Sequence, residues 1–150
     1  MVNNPKTLDP RILVEGRFDL RAGAADRTKI TNGPVYDLTI AQQLVAQFGF
    51  LRANADSLNA RRRELEPKLD DDEVAEILTA LKNEHYDGSE ISIISANRKV
   101  DSDEYFIWWH RNNRREDPGR MFGIPIYVKF GFRYPSPKCL IVSIHRSERH

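Results

Sequence analysis

The sequence predicts an α+β domain: an antiparallel β-sheet with N-terminal helices packed on one face. Three observations carry this. Apolar residues recur at helical spacing between about residues 37 and 81, and the period changes to two from Asp87 onward. The last thirty residues hold two alternating runs broken by Pro135-Ser136-Pro137, the pattern of a β-hairpin. The chain has 150 residues, 40% hydrophobic and 30% charged, the composition of one globular domain with a real core. Helices first and strands afterwards give the α+β arrangement.

Residues 1–33 read as an N-terminal extension of unassigned role. Ile12 to Leu20 has strand-like pieces around Gly16, and residues 21–33 are polar, ending in an Asn32-Gly33-Pro34 turn signal. The domain proper spans 34–150. A helix starts near Asp37 or Thr39, either able to cap it. Leu38, Ala41, Leu44, Val45 and Phe48 form its apolar stripe, and Gly49 stops it. Phe50 to Ala53 suits a short strand. Asn54 or Asp56 caps a second helix running through Leu65, ended by Pro67. Asp70, Asp71 and Asp72 then crowd a helix start. Acids there complement the dipole, so capping is preferred over metal binding. Val74, Ile77, Leu78 and Leu81 make that helix's buried stripe. Glu90 to Ala96 reads as a strand, Asn97 to Asp103 as a polar turn, Tyr105 to His110 as an aromatic strand, and 111–120 as a charged loop.

The terminal hairpin sorts chemistry onto faces, because neighbouring strand residues point opposite ways. Ile124, Ile126, Val128, Phe130 and Phe132 share the apolar face, and Tyr127, Lys129 and Arg133 the other. In the second run Leu140, Val142 and Ile144 share a face, opposite Cys139, Ile141, Ser143 and His145. A Pro-Ser-Pro loop sets Tyr127 across from His145 and Lys129 across from Ser143. A phenol, an ammonium and an imidazole thus meet at one sheet end, a metal-free set suited to a phosphodiester. The competing reading is an amphipathic hairpin with a solvated polar face.

Charge is uneven. Residues 91–150 carry eleven Lys/Arg against six acids, about +5, whereas residues 1–90 come to about −4. A basic sheet end suits RNA; a solvated mixed-charge surface is the plainer reading. The single cysteine, Cys139, sits in a strand pattern and is read as a small buried residue. No apolar run reaches the roughly 20 residues of a membrane span, and the N-terminus lacks a signal-peptide apolar region. A cytoplasmic protein is the expectation. There is no Gly-rich phosphate loop, Cys/His metal spacing or Gly-x-Ser-x-Gly elbow, so no cofactor or metal is expected.

Several strings then fall in a familiar order: Leu44-Val45 through Gly49, Leu81 to Tyr86, Ile107-Trp108, Tyr127-Val-Lys129 and Leu140-Ile-Val-Ser-Ile-His145. Their order and spacing over residues 34–150 resemble the MqsR family, toxin ribonucleases of bacterial toxin–antitoxin pairs with a RelE/barnase-like fold. The resemblance implies a RelE-like sheet and a type II toxin acting as a metal-independent mRNA endoribonuclease (an mRNA interferase). It also implies growth arrest on expression and a cognate antitoxin partner, with RNA met free or on the ribosome. The family tyrosine matches Tyr127 and its terminal-strand lysine falls on His145. The other family lysine falls near Gly88 and the glutamine after Ile-Trp on Trp109, so two positions depart.

His145 is read as the acid or base, a role imidazole suits near neutral pH. Tyr127 assists proton transfer or orients the phosphate. Lys129 and Arg146 stabilise charge, although alternation sets Arg146 opposite His145 unless the strand ends there. His110 is a second acid/base candidate or an exposed loop-edge histidine. Arg111, Arg114, Arg115 and Arg133 are candidate RNA contacts. Trp109 is a candidate base-stacking residue, although alternation favours it inward. His85 follows a helix end and is read as a cap. Arg61, Arg62 and Arg63 coat a surface or dock an acidic antitoxin segment. The rival readings are a non-catalytic protein- or RNA-binding module that keeps the toxin fold and a single-strand nucleic-acid binder without chemistry.

Overall fold

The computed structural model describes residues 27–31, 33–53, 68–95, 98–133 and 136–147. Helix α1 (Leu38–Phe48) starts where the Asp37 carboxylate accepts the Ile40 N–H at 3.0 Å, and it buries Leu38, Ala41 and Leu44. It ends at Gly49, whose φ of 78° is a left-handed conformation that glycine adopts without a Cβ clash. Strand β1 (Phe50–Arg52) follows. The expected helix through Leu65, with Arg61 to Arg63, lies outside the described residues, as does Ile12 to Leu20. Helix α2 (Asp71–Ala80) is capped by Asp70, which accepts the Glu73 N–H at 2.8 Å, so this acid performs the capping role expected of the Asp70–Asp72 run.

Five strands then complete the sheet: β2 (Tyr86–Ser95), β3 (Arg98–His110), β4 (Arg115–Glu116), β5 (Ile124–Phe132) and β6 (Cys139–Arg146). Their order is β1-β6-β5-β3-β2, with β4 pairing the end of β3. Every pairing is antiparallel except β1 with β6. The described helices pack on one face. Leu38, Leu44, Val74 and Ile77 join Tyr105, Ile107, Trp109, Val128 and Phe130 in a single buried cluster. Burying each large side chain there contributes about 1.5–3 kcal/mol. Among the described residues no helix is long and apolar enough to cross a membrane.

Three expectations need correction. The polar stretch from Arg98 to Asp103 is strand, not turn, and pairs with β2. At Asp103 the polarity is met by partners: its carboxylate accepts the N–H groups of Val35 and Tyr36 at 2.9 Å each and the Ser89 hydroxyl at 2.6 Å. Burial still pushes the Asp103 carboxyl up to about 6. Second, residues 27–31 are not detached from the domain. Arg27 and Ile30 donate backbone hydrogen bonds to Ile91 and Ser89, and Ile91 donates to Thr28.

Third, the hairpin holds the expected register only in part. Tyr127 faces His145 and Lys129 faces Ser143, but Phe130 faces Ile141. Val142 is therefore an extra residue, a β-bulge that shifts the strand by one place. Cys139 and Ile141 consequently enter the core with Phe130 and Phe132, in place of Leu140 and Val142. Ile144, beyond the bulge, stays on the core side.

Candidate active site

The sheet face away from the helices carries a cleft of about 400 Å³ lined by Lys29, Glu90, Glu104, Tyr127, Lys129 and His145. Register builds it. Glu104 lies across from Lys129 on β5, and Tyr127 lies across from Phe106 on β3 and His145 on β6. The Tyr127 and His145 rings stack with centroids 5.1 Å apart and planes 26° off parallel. Because a carbonyl only accepts, the 2.9 Å contact of His145 Nδ1 with the Arg146 oxygen places the proton on Nδ1 and the neutral ring's lone pair on Nε2. A second bulge shapes the rim. At Gly88, φ is +149°, a conformation open to glycine, and the register slips between Tyr86 and Gly88, next to the cleft residue Asp87.

Two buried carboxyls in the cleft have opposite electrostatics. Glu90, only 4% exposed, accepts from Lys129 Nζ at 2.9 Å and from Lys29 Nζ at 3.1 Å. Burial opposes its charge, but hydrogen bonds from Glu104 and the two lysines outweigh that and take it down to about 2. Glu104, 7% exposed, is driven the other way, by burial and by the neighbouring Glu90 carboxylate. Its Oε1 has no hydrogen-bond partner among the described residues. Burial, then the charges of Glu104 and Glu90, push the Tyr127 phenol up, so it stays protonated.

The remaining sequence-selected residues scatter. His110 stands six residues beyond Glu104 on β3, roughly 20 Å along the strand. It lies beside Phe122, with Nδ1 accepting the Asn113 N–H at 3.1 Å. Arg146 pairs with Ile126, on the side opposite His145, and is exposed. Trp109 is 1% exposed and donates from Nε1 to Glu73 at 3.0 Å, so it is a core residue and no stacking platform. Arg111 grips the same buried Glu73 from Nε at 3.1 Å and from its terminal nitrogen at 2.9 Å. Arg114 meets Glu76 at 2.5 Å. These two arginines tie β3 and its loop to α2. Arg115 is exposed opposite His110, and Arg133 is half-buried just past β5, six residues from Tyr127. His85 is not merely a helix-end residue: Nδ1 accepts the Lys82 N–H at 2.8 Å and Nε2 contacts Glu116 at 2.7 Å.

Sequence reasoning found Tyr127, Lys129 and His145 but missed Glu90, Glu104 and Lys29. The available signal was alternation. Glu90 sits one place from core-facing Ile91, and Glu104 one place from Tyr105, so each points to the open face. Among the described residues no group of three His, Cys, Asp or Glu side chains is placed to hold a metal ion. The chain matches no family model, no curated protein and no solved structure.

Proposed function

We propose that the protein is a metal-independent endoribonuclease, the toxin of a type II toxin–antitoxin pair with an MqsR-like, RelE-type sheet. The observation that carries this reading is the convergence of Tyr127, Lys129 and His145 with Glu104 around one cleft on the open sheet face. Cleavage forms a bond from the 2′-oxygen to phosphorus and breaks the bond from phosphorus to the 5′-oxygen. It leaves a 2′,3′-cyclic phosphate and a 5′-hydroxyl. One proton leaves the 2′-hydroxyl and one reaches the departing oxygen, so the site needs a base and an acid. His145 Nε2 moves one of these protons. Glu104 moves the other: burial and the neighbouring Glu90 carboxylate raise its pKa above the ordinary carboxyl value, and its unpartnered Oε1 suits a carboxyl that gives or takes a proton. Tyr127, held in its phenol form, orients the phosphate by donating a hydrogen bond. Lys129 and Lys29 face the phosphorane with Glu90 between them, which leaves the trio one net positive charge.

A second reading, a non-catalytic module that binds protein or RNA, draws on the two departures from the family pattern, Gly88 and Trp109. Trp109 is inside the core and offers the cleft nothing. Induced expression separates the readings. The toxin reading expects growth arrest with RNA fragments, rescued by a small antitoxin encoded next to the gene and abolished by His145→Ala. Growth arrest without fragments, equal for His145→Ala, favours the module. Cleavage by the purified protein is expected to persist in excess EDTA; loss on chelation with rescue by a divalent ion would contradict the mechanism.

A further inference from the structure

The open face carries a second cleft next to the first, and we propose that it seats an unpaired nucleobase flanking the scissile phosphate of single-stranded RNA. This rests on reading the first cleft as the cleavage site and adds how the substrate is held beside it. The second cleft, about 270 Å³, is lined by Phe106, Trp108, Pro118 and Arg120 together with His85 and Glu116. Asp87 lines both clefts, and Phe106 lies directly across from Tyr127. Trp108 follows two residues on along the same face of β3, about 7 Å further.

Three properties point to a base. The first is a stacking surface. The Arg120 guanidinium carbon sits 5.5 Å from the Trp108 ring centroid, so the indole face already takes a planar group. The second is an unanswered donor. Trp108 Nε1 is buried and has no hydrogen-bond partner among the described residues, a cost that an acceptor lying in the indole plane, such as a ribose or phosphate oxygen next to the stacked base, would relieve. The third is a fixed acceptor. Glu116 is held by His85 Nε2 at 2.7 Å and Lys82 Nζ at 3.2 Å, and those contacts outweigh burial and keep its carboxylate below the usual range. Charge separates the clefts. Glu84, Asp87 and Glu116 against Arg120 make the second cleft acidic, whereas in the first Arg27, Lys29 and Lys129 meet Asp87, Glu90 and Glu104, so its cations are matched one for one rather than outnumbered. A phosphate therefore prefers the first cleft, and a neutral base carrying N–H donors prefers the second.

The two indole N–H signals of the full-length protein give the test, with the Trp109 signal, bonded to Glu73, as the internal control. The probe is a mixed-sequence hexanucleotide with 2′-O-methyl riboses, which binds without being cut. Its addition should move the Trp108 signal and leave that of Trp109 in place, whereas an abasic ribose-phosphate oligomer should move neither. Trp108→Ala should weaken hexanucleotide binding about ten-fold or more. Trp108→Phe, which keeps an aromatic face and loses the donor, should weaken it about three-fold. Binding that perturbs His145 but not Trp108, with parent affinity in both variants, would overturn the base cleft and leave the cleavage reading standing. A Trp108 shift in a protein that cuts no RNA would uphold the base cleft and remove the cleavage reading. A Trp108 shift produced only by an acidic peptide would overturn the base cleft in favour of a protein partner.

Discussion

The two faces of the sheet each bury carboxylates beside cations, and they treat them differently. On the helix face Glu73 is answered on both oxygens, by Trp109 and Arg111, and those bonds hold its carboxylate below the usual range despite burial. On the open face two carboxyls share two lysines. Glu90 takes both ammoniums, and Glu104 is left with an unpartnered oxygen and a raised pKa. The first arrangement is a lock between α2 and β3. The second leaves one buried carboxyl without an answering cation, the feature on which the proposed proton transfer draws. Trp108 and Trp109 repeat the contrast one residue apart: Trp109 has its acceptor and Trp108 does not.

Mutating each cluster should therefore damage different properties. The largest effect is expected at His145. His145→Ala should slow RNA cleavage by roughly 10² to 10⁴ with the thermal midpoint unchanged, because the ring lies on the open face; a folded variant that cuts at the parent rate would exclude its role. Next comes the lock. Glu73→Ala leaves Arg111 and the Trp109 N–H without their acceptor and should cost about 3–5 kcal/mol of stability, read from urea midpoints. A loss below 1 kcal/mol would mean that the pair is dispensable.

Glu104→Gln should invert that pattern, removing one limb of the pH–rate profile while leaving the fold intact. Its raised native pKa means that ionisation costs stability as pH rises above the ordinary carboxyl range. Relative to the parent, the Gln variant should therefore gain stability with rising pH. An unchanged pH–rate profile would leave Glu104 with no part in proton transfer.

Glu90 has the opposite sign. Its native carboxyl lies near 2 against 4.5 when unperturbed, so it contributes stability that is full above 4.5 and lost as pH falls from 4.5 towards 2. Glu90→Gln should flatten that part of the stability–pH curve. The smallest effect is expected at Arg115, exposed and outside both clusters. Arg115→Ala should reduce the salt slope of RNA binding by about one, with no effect on folding.

Part of the first cleft was legible in the sequence because alternation sets Tyr127, Lys129 and His145 on chosen strand faces. The loop length did not set the register: next to the turn Phe132 pairs with Cys139, one place off the expected pairing, and Tyr127 comes opposite His145 because the bulge at Val142 offsets that difference. The rest was hidden for physical reasons. The run Cys139-Leu140-Ile141-Val142 is apolar at every position, so a bulge there buries one hydrophobe in place of another and leaves no pattern to read. Arg98 to Asp103 looks like a turn because the groups that answer its polar side chains are distant in sequence, as the backbone of Val35 and Tyr36 answers Asp103. With β3 read too short, Glu104 had no strand to stand on and could not be set across from Lys129. The loop arginines carried the right charge for RNA. Only the position of α2 shows that Arg111 and Arg114 are engaged with Glu73 and Glu76.

The most direct test uses the purified protein, excess EDTA, and an RNA oligonucleotide carrying a single 2′-deoxy sugar on the 5′ side of the mapped cut. The account predicts that the all-ribose RNA yields a 2′,3′-cyclic phosphate and a 5′-hydroxyl, and that the deoxy substitution abolishes that cut. Undiminished cutting of the deoxy oligonucleotide, or products ending in a 5′-phosphate, would contradict it.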